Sequence, residues 1–453
     1  MKTLKYILPI ALLTLLHSSC KKYLEANADS AQLIPSTVED VQALLDNSGK
    51  MNENSTPAFA EVAADDLFVK DETYNGSPAP VYQWEEYFYK YPTDWAQLYS
   101  LVYTANLSLE ILQKAKNSGE SPATFNNAKG SALFFRGNSY LQLVWVFAKA
   151  YDAQTSASDP GIVLRTGSDF NVPSVRSAVS DAYEQVIRDL EAAADLLPAI
   201  SVSKMRPSKA AAYTALARTY LSMRNYEAMY KYSDMALQIR AELMDFNNTD
   251  EVVAGPFPFS EYPYNKEVLF FSSMNNRIAV PYKSPSLSYT DTLLYAQYDQ
   301  NDKRRTIFFN ESNGYHKFNG SFSGNSFLLF SGMATDELYL MRAEGHARAG
   351  RVSAAMADLN KLLESRYVTG SFVPLTAATK EEALAFIFTE RRKELLMRGL
   401  RWMDVKRRNK EGAGIVMTRK LNGKTYTLPP NDNRYALPLP ADIVSANIPQ
   451  NIR

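Results

Sequence analysis

The chain repeats one local pattern along much of its length: two helices with apolar stripes, joined by a short polar turn. From residue 93 onward, apolar side chains recur at steps of three and four, which places them on one face of a helix. They are Trp95, Tyr99, Val102, Leu109 and Leu112 in the first helix, where the polar Asn106 shares the face, and Leu133, Tyr140, Val144 and Phe147 in the second. A helical hairpin cannot bury its apolar face alone, so such hairpins must stack.

The pattern returns in two later stretches. In DAYEQVIRDLEAAADLL the helix is closed by Pro198, and a helical pair with a turn at Arg224-Asn225 follows. That pair resembles a tetratricopeptide unit, because Leu216, Ala217, Tyr220 and Ala236 stand at the spacing of the repeat. A further pair has its turn at Gly350. We predict a mostly α fold, with tetratricopeptide-like hairpins over residues 93–150, 175–245 and 333–410 forming a scaffold.

Two segments, residues 55–92 and 247–332, lack this helical rhythm and are rich in Gly, Ser, Asn and Pro. They are also aromatic: 17 of the 75 residues between Pro256 and Phe330 are Phe or Tyr, against 12% aromatic residues overall. Long irregular segments are usually functional or disordered, and aromatic content argues against disorder. We predict long aromatic loops with a few short strands, mounted on the scaffold.

The amino terminus has the three parts of an export signal. Lys2 and Lys5 precede an apolar core at residues 6–16, and Ser18 and Ser19 follow it. A membrane-spanning helix needs about 20 apolar residues, so this core is too short to span. We predict a signal peptide at residues 1–19, a tether at 20–35 and one domain at 36–453.

Cys20 is the only cysteine of the 453 residues, so it cannot form an intramolecular disulfide. Small residues directly before it fit a lipoprotein signal, in which Cys20 is lipidated and becomes the mature amino terminus. Attached lipid chains hold a protein on a membrane without crossing it. An ordinary secretory signal with a free thiol is the alternative, since His17 stands where lipoprotein signals usually carry Leu.

The charges nearly cancel. There are 49 Lys and Arg and 49 Asp and Glu, and removal of Lys2 and Lys5 leaves 47 against 49, a balance of minus two. Because nucleic-acid binding usually requires a basic face, this balance argues against a nucleic-acid partner.

Motifs for catalysis are absent from the sequence. Once the signal is removed, His316 and His346 remain, and they are not at metal-ligand spacing. No HExxH, GxSxG or glycine-rich nucleotide loop is present. We therefore predict no catalytic residue, no metal and no cofactor, and we expect His346 to pack within a helix face.

Two acidic groups remain as candidates for other chemistry. Asp65-Asp66 could supply the two carboxylates of a glycosidase, although a pair that caps backbone amides is the favoured interpretation. Asp245, Asn247, Thr249 and Glu251 alternate as calcium ligands can, but the glycine and final glutamate of an EF-hand loop are missing.

The densest charged motif is ERRKELLMRGLRWMDVKR, which begins at Glu390. On a helix, Glu390, Glu394 and Arg398 are four residues apart, which predicts a ladder of ion pairs on one flank. Gly399 is expected to end or loosen this helix before Trp402. We assign the motif a structural role.

This motif resembles the C-terminal hallmark of the SusD/RagB family of outer-membrane lipoproteins. The matching residues are Glu390, Arg391, Glu394, Leu395, Gly399, Arg401, Trp402, Asp404 and Arg407. Arg398 replaces a usual glutamate and Val405 a usual leucine. MRAEGHARAGR, RPSKAAAYTALARTYL and the closing YALPLPADIVSANIPQN also resemble family segments, in the family's order.

The resemblance implies a SusD-like protein that is not an enzyme. Such proteins bind a nutrient, most often a glycan, at the cell surface, and act as a lid over a SusC-like TonB-dependent transporter in the outer membrane. A peptide-binding member of the family and a surface glycosidase remain alternatives. Sugar rings call for flat aromatic surface and a few polar groups, so the loop composition predicts these ligand residues: Tyr74, Asn75, Tyr82, Trp84, Tyr262, Tyr264 and Tyr282.

Overall fold

Helices dominate the computed structural model, which describes residues 34–70, 79–89, 93–115, 119–253, 255, 257–259, 265–276, 288–324 and 328–453. Within these ranges the helices are α1 (Val38–Leu45), α2 (Ser48–Met51), α3 (Ala58–Ala63), α4 (Ala79–Tyr82), α5 (Asp94–Lys114), α6 (Pro122–Phe147), α7 (Val179–Leu196), α8 (Lys209–Met223), α9 (Tyr226–Ile239), α10 (Thr292–Tyr295), α11 (Arg304–Ile307), α12 (Thr335–Arg348), α13 (Val352–Glu364), α14 (Lys380–Glu394), α15 (Arg401–Asn409) and α16 (Ala441–Ser445).

The strands are short and form antiparallel pairs. They are β1 (Leu67–Val69), β2 (Pro160–Val163), β3 (Arg176–Ala178), β4 (Val268–Phe270), β5 (Ser288–Thr290), β6 (Phe309–Ser312), β7 (Tyr315–Phe318), β8 (Met333–Ala334), β9 (Met417–Leu421) and β10 (Lys424–Leu428). In the described ranges, β1 pairs with β5, β2 with β3, β4 with β8, β6 with β7 and β9 with β10. The predicted fold class, mostly α with a few short strands, is confirmed.

The first predicted hairpin consists of α5 and α6. The Thr93 hydroxyl accepts from the Ala96 N–H, and the Ser121 hydroxyl accepts from the Thr124 N–H, so each helix begins at a side-chain cap. The second helix differs from the amphipathic helix that we predicted. Every residue of α6 from 130 to 147 is buried, because this helix lies between neighbours rather than at the surface.

Glycine allows these helices to approach closely. A Cβ atom added at Gly137 of α6 would lie 3.1 Å from the Cβ of Asp189 in α7. A Cβ added at Gly345 of α12 would lie 2.7 Å from the Cβ of Tyr230 in α9. Arg136, the one charged residue between 130 and 147, donates to the Asp189 carboxylate at 2.6 Å across the same α6–α7 contact.

The predicted turns are confirmed. Arg224 ends α8 in the left-handed region with φ 62°, and the Asn225 side chain caps α9 by accepting from the Ala228 N–H. Gly350, with φ 75°, separates α12 from α13. These turns depend on adjacent residues only, which is why the sequence predicts them.

The predicted ion-pair ladder is wrong. Helix α14 ends at Glu394, and the chain turns through Met397 (φ 59°) and Gly399 (φ 73°) before α15 begins. Arg398 is therefore outside the helix and pairs with Asp336 of α12 at 2.6 Å. Glu390 pairs with Lys393, and Asp404 pairs with Arg391 and Arg407, all within the motif. Glu394 and Arg401, like Arg398, pair with segments outside it. The structural role that we assigned to the motif agrees with this arrangement.

Residues Thr37–Arg453 form one compact unit. Among the helices in the described ranges, none has the length and apolarity needed to cross a membrane.

Candidate functional site

The two irregular segments meet in the folded chain. The Thr56 N–H donates to the Ser273 carbonyl at 3.2 Å, and the Asn275 N–H donates to the Thr56 carbonyl at 2.8 Å. Further on, β1 of the first segment pairs with β5 of the second. The described parts of both segments therefore build one surface, on which a ligand site can form.

Three aromatic rings from three strands contact one another on this surface. Phe68 of β1 lies directly opposite Tyr289 of β5 in the strand register. The ring of Tyr315, from β7, lies 5.2 Å from the Phe68 ring and 5.0 Å from the Tyr289 ring, centroid to centroid. Tyr289 is buried, whereas Phe68 and Tyr315 are partly exposed. We call these three residues the aromatic cluster.

Two lysines lie over the aromatic cluster. The Lys70 ammonium is 5.1 Å from the Tyr315 ring centroid, and the Lys317 ammonium is 5.0 Å from that of Tyr289. Such distances are typical of cation–π contacts. The Asn313 amide donates to the Tyr289 hydroxyl at 3.3 Å, and this hydrogen bond lowers the pKa of Tyr289. The flat rings of the aromatic cluster therefore lie beside ammonium and amide hydrogen-bond donors.

A hairpin turn positions β7. Asn313 and Gly314 have φ angles of 54° and 76°, which is the geometry of a tight two-residue hairpin. On the opposite face of β7 from Tyr315, the His316 imidazole stacks on Tyr295 with a centroid separation of 3.4 Å. Burial lowers the pKa of His316, so this imidazole is neutral at neutral pH and serves as a ring-stacking group.

Two of the predicted ligand residues lie in the core. Tyr82 and Trp84 are each 1% exposed. The Trp84 indole N–H donates to the Ala63 carbonyl at 2.9 Å, and the Tyr82 hydroxyl accepts from the Val69 N–H at 3.0 Å. The Arg419 guanidinium covers both rings, 3.8 Å from the Tyr82 centroid and 4.5 Å from that of Trp84. Neither ring offers a face to a ligand in this structure.

The other predicted residues lie outside the described ranges. They are Tyr74, Asn75, Tyr262, Tyr264 and Tyr282, together with the lipidation candidate Cys20. Their roles stay predictions.

The aromatic cluster was not among the predicted ligand residues, although the sequence carries a signal for part of it. Asn313-Gly314 stands between alternating residues in FNESNGYHKF, which is a strong local indication of a hairpin. That signal would have placed Tyr315 on a strand. The pairing of β1 with β5 joins residues more than 200 positions apart, and no local pattern predicts it.

The Asp65-Asp66 pair binds arginines rather than helix-end amides. The Arg401 guanidinium donates to both Asp65 oxygens at 2.7 and 2.9 Å, and Arg392 donates to Asp66 at 2.8 Å. Arg392 also reaches Asp291, which follows β5, at 3.2 Å. Asp66 directly precedes β1, so Arg392 fastens both strands of the β1–β5 pair to α14.

Glu61 is a second unusual carboxyl group below this surface. It is fully buried and accepts from the Gly399 N–H at 2.9 Å, while its other oxygen has no partner among the described residues. Burial, reinforced by the nearby Asp66 carboxylate, raises the pKa of Glu61 to about 8. The folded chain therefore holds Glu61 in its neutral, protonated form near neutral pH.

Substitution Glu61→Gln is expected to flatten the pH dependence of stability. Because the folded pKa of about 8 exceeds the ordinary 4.5, the folded state binds the additional proton, and the contribution of Glu61 to stability falls as pH rises from 4.5 to 8. Relative to wild type, the variant should gain up to about 1.4 kcal/mol per pH unit in that window. Urea unfolding at pH 5, 6.5 and 8 measures this, and parallel profiles for both proteins would contradict it.

The residues that alternate as calcium ligands can, Asp245 to Glu251, form a turn. One Asp245 oxygen accepts from the Asn247 N–H and from its side-chain amide, both at 2.9 Å. Glu251 accepts from the Asp245 N–H and pairs with Lys266. These oxygens are therefore engaged within the protein.

His346 packs against Tyr230 in α9 and accepts from Arg351, as expected of a helix-face residue.

One buried acidic trio has the spacing of a metal site, with Glu267, Asp336 and Glu394 placing oxygens within 4.8 Å of one another. Arginines occupy it instead. Arg366 bonds Glu267 and Glu394 at 2.9 Å each, Arg398 bonds Asp336, and Arg304 donates to Glu394 at 2.8 Å. Although burial alone would raise the pKa of Glu394, Arg366 and Arg304 lower it to about 2. The trio and its arginines join α12 and α14 to Glu267, the residue that precedes β4.

Comparison with known proteins identifies the family. A model described as starch-binding and associating with the outer membrane matches residues 22–221, and a model described as the SusD family matches residues 259–450. The chain belongs to the SusD/RagB family, whose description includes association with the outer membrane.

Relatives support the same class. SusD-like protein P2 of Formosa agariphila is 25% identical over 69% of this chain and 70% of its own length. A SusD superfamily structure from Bacteroides thetaiotaomicron has a TM-score of 0.73 at 21% identity, covering 92% of this chain and all of that one. A SusD-like carbohydrate binding protein from Bacteroides vulgatus has a TM-score of 0.66 at 20% identity, covering 91% and 97%. These two structures share the fold.

Proposed function

We propose that this chain is a surface-exposed lipoprotein that binds a nutrient, expected to be a glycan, at the aromatic cluster without cleaving it. The observation that carries the proposal is the junction of the two irregular segments, which brings Phe68 and Tyr315 together beside two lysines. Membership of a family described as starch-binding supports a carbohydrate ligand.

The chemistry of the aromatic cluster suits a sugar. The C–H faces of a pyranose stack on flat rings, while ammonium and amide groups donate to the hydroxyl rim. Phe68 and Tyr315 are only partly exposed, so the contact area is modest and the site is expected to be shallow and wet. Weak capture suffices if a SusC-like TonB-dependent transporter traps the ligand, with this chain acting as its lid.

A non-catalytic role fits the environment of the acidic residues. Asp65 and Asp66 are bound by arginines, and Arg401 keeps the pKa of Asp65 well below its ordinary value although burial opposes this. A general acid for glycoside cleavage must carry a proton near neutral pH and must reach the substrate. Burial raises the pKa of Asp66, but this side chain is buried and bound by Arg392, so it does not reach a polymer. The Asp65-Asp66 pair therefore does not support the glycosidase alternative.

Binding without turnover can be tested with the full mature chain. Affinity electrophoresis through gels containing starch and other polysaccharides should retard the protein on at least one of them. The same incubation should release no reducing sugar. Release of reducing sugar would contradict the proposal, as would blank polysaccharide gels combined with measurable binding to peptides, which would instead support the peptide-binding alternative.

Lipid attachment can be tested separately at Cys20. Attached acyl chains contribute about 0.8 kcal/mol per buried methylene, so the proposed lipoprotein should sediment with outer membranes. Cys20→Ala should shift it to the soluble fraction, whereas Ser30→Ala in the predicted tether should leave it with the membranes. Equal fractionation of the two variants would contradict lipid anchoring.

A further inference from the structure

A small pocket between α14 and α15 is lined by an unusual concentration of guanidinium groups. The arginines that line it are Arg391, Arg392, Arg401, Arg407 and Arg408. Two carboxylates, those of Asp66 and Asp404, also line it. The lining therefore carries five positive and two negative charges, so the electrostatic balance at the pocket depends on the carboxylates behind the lining.

Most of these arginines have carboxylate partners. Arg392 and Arg401 bind Asp66 and Asp65, and Arg407 binds Asp404 at 2.7 Å. Glu337 and Glu344 also pair with arginines of this group, at 3.4 Å and 2.7 Å, but they do not line the pocket. The surrounding network is thus largely neutralised, and an additional ligand is needed only where a donor is left without an acceptor.

Arg391 provides one such donor. Its Nε donates to Asp404 at 2.8 Å and its Nη2 to Glu337 at 3.4 Å. Its Nη1 is buried and has no hydrogen-bond partner among the described residues. Arg391 is 2% exposed, so bulk water does not solvate this group, and an unpaired buried N–H of a charged residue is costly. An acceptor in the pocket would remove that cost.

Arg408 provides the second donor group that has no acceptor in the described part of the chain. Its guanidinium lies 4.0 Å from the Phe388 ring centroid. Arg408 is partly exposed, and within the described ranges its side chain has neither a hydrogen bond nor an ion pair with a carboxylate. Burial, together with Arg401 and Arg407, lowers the pKa of Arg408. This charge lies close to two others of its own sign, which Asp404 and Glu344 offset in part.

The pocket is small. Its volume is about 10 Å³, which is close to the least that holds the centre of one water-sized sphere. Phosphate, sulfate and the carboxylate of a sugar acid each need more room. A water molecule could accept from Arg391 Nη1 but carries no charge. Arg391 and Arg408 both line this small pocket, so a monatomic anion inside it would lie beside both guanidinium groups.

We propose that this pocket binds a single halide ion, chloride under ordinary conditions, between Arg391 Nη1 and the Arg408 guanidinium. The ion completes the arginine network that holds Asp65 and Asp66, and therefore the start of β1, against α14 and α15. This site is separate from the aromatic cluster, and the proposal does not depend on the identity of the nutrient.

The test uses the full mature chain at constant ionic strength, with sodium chloride replacing sodium gluconate. Because a ligand that binds only the folded state stabilises it, Tm should rise by about 2 °C and reach a plateau. Arg408→Gln should abolish the rise. Arg188→Gln, which alters an exposed arginine of α7, should retain it. Absence of a plateau, or an equal rise in Arg408→Gln, would overturn the proposal.

A crystallographic test requires no variant. Crystals soaked in sodium bromide should show an anomalous peak in contact with Arg391 Nη1 and Arg408. Density without anomalous signal at that position would identify water and overturn the proposal. A sulfate-dependent rise in Tm that equals the chloride effect, and that Arg408→Gln also abolishes, would overturn the assignment to a halide.

Discussion

Arg366→Met is expected to destabilise the protein by about 3–5 kcal/mol, because it removes the guanidinium that binds two buried carboxyl groups. Arg366 is fully buried; it donates to both oxygens of Glu267 and one of Glu394, and its guanidinium lies 4.2 Å from the Phe246 ring centroid. Glu394 keeps Arg304, but among the described residues the Glu267 side chain keeps only the Met244 N–H. Burial raises the pKa of Glu267 to about 8 although Arg366 opposes this, so the loss of Arg366 favours the protonated form of Glu267 further. Urea unfolding monitored by circular dichroism measures the loss.

The matched control is Arg342→Met. Arg342 also pairs with two carboxylates, those of Asp358 and Asp234, but its side chain is 21% exposed. Solvent screens this pair, so a loss of about 1 kcal/mol is expected. Adding Glu267→Gln to Arg366→Met should recover part of the stability, because a neutral amide replaces the carboxyl group that Arg366 bound. Equal losses in the two arginine variants would show that burial of the network is not what makes it strong.

Trp84→Ala is expected to cost a similar amount, about 3–5 kcal/mol, through the cavity that it leaves. The indole is enclosed, donates to Ala63, and packs under the Arg419 guanidinium. Phe170→Ala, which truncates a side chain that is 82% exposed, should change stability by less than about 0.5 kcal/mol. Denaturant unfolding compares the two variants directly.

A second substitution at Trp84 distinguishes a role in the core from a role in ligand binding. Trp84→Phe keeps one aromatic ring but loses the second ring of the indole and its N–H, so this variant should fold with reduced stability and should bind the nutrient with unchanged affinity. If Trp84→Phe were as stable as wild type but bound the ligand tenfold more weakly, Trp84 would be a ligand residue, as its position in the aromatic segment first indicated.

The helical scaffold was predictable because its signals are local. Hydrophobic spacing of three and four residues marked α5, α8 and α9, and Asn225 and Gly350 marked turns that depend on adjacent residues. The full burial of α6 was not predictable, because it depends on the helices that surround it rather than on its own sequence.

The ion pairs were not predictable in the same way. The spacing of Glu390, Glu394 and Arg398 favoured a ladder, but positive φ angles at Met397 and Gly399 end the helix first. Glu394 then meets Arg366 and Arg304, the second of which lies 90 positions away in the sequence. The spacing of charged residues along the sequence predicts ion pairs only within one continuous helix.

The candidate site was predictable in position but not in detail. Aromatic composition identified the two segments, and their backbones do meet at Thr56 and along β1–β5. Which rings reach the surface depends on strand pairing and on covering groups such as Arg419. For that reason Tyr82 and Trp84 lie in the core, while Phe68 and Tyr315 lie in the aromatic cluster.

The most direct test of the central claim is calorimetric titration of the double variant Phe68→Ala/Tyr315→Ala with the oligosaccharide that the polysaccharide gels identify. Loss of two stacking rings should weaken binding at least tenfold, or about 1.4 kcal/mol. Tyr103→Ala, which removes a ring that is 46% exposed on α5, should bind as wild type does. Unchanged affinity in a folded double variant would contradict the assignment of the nutrient site to the aromatic cluster.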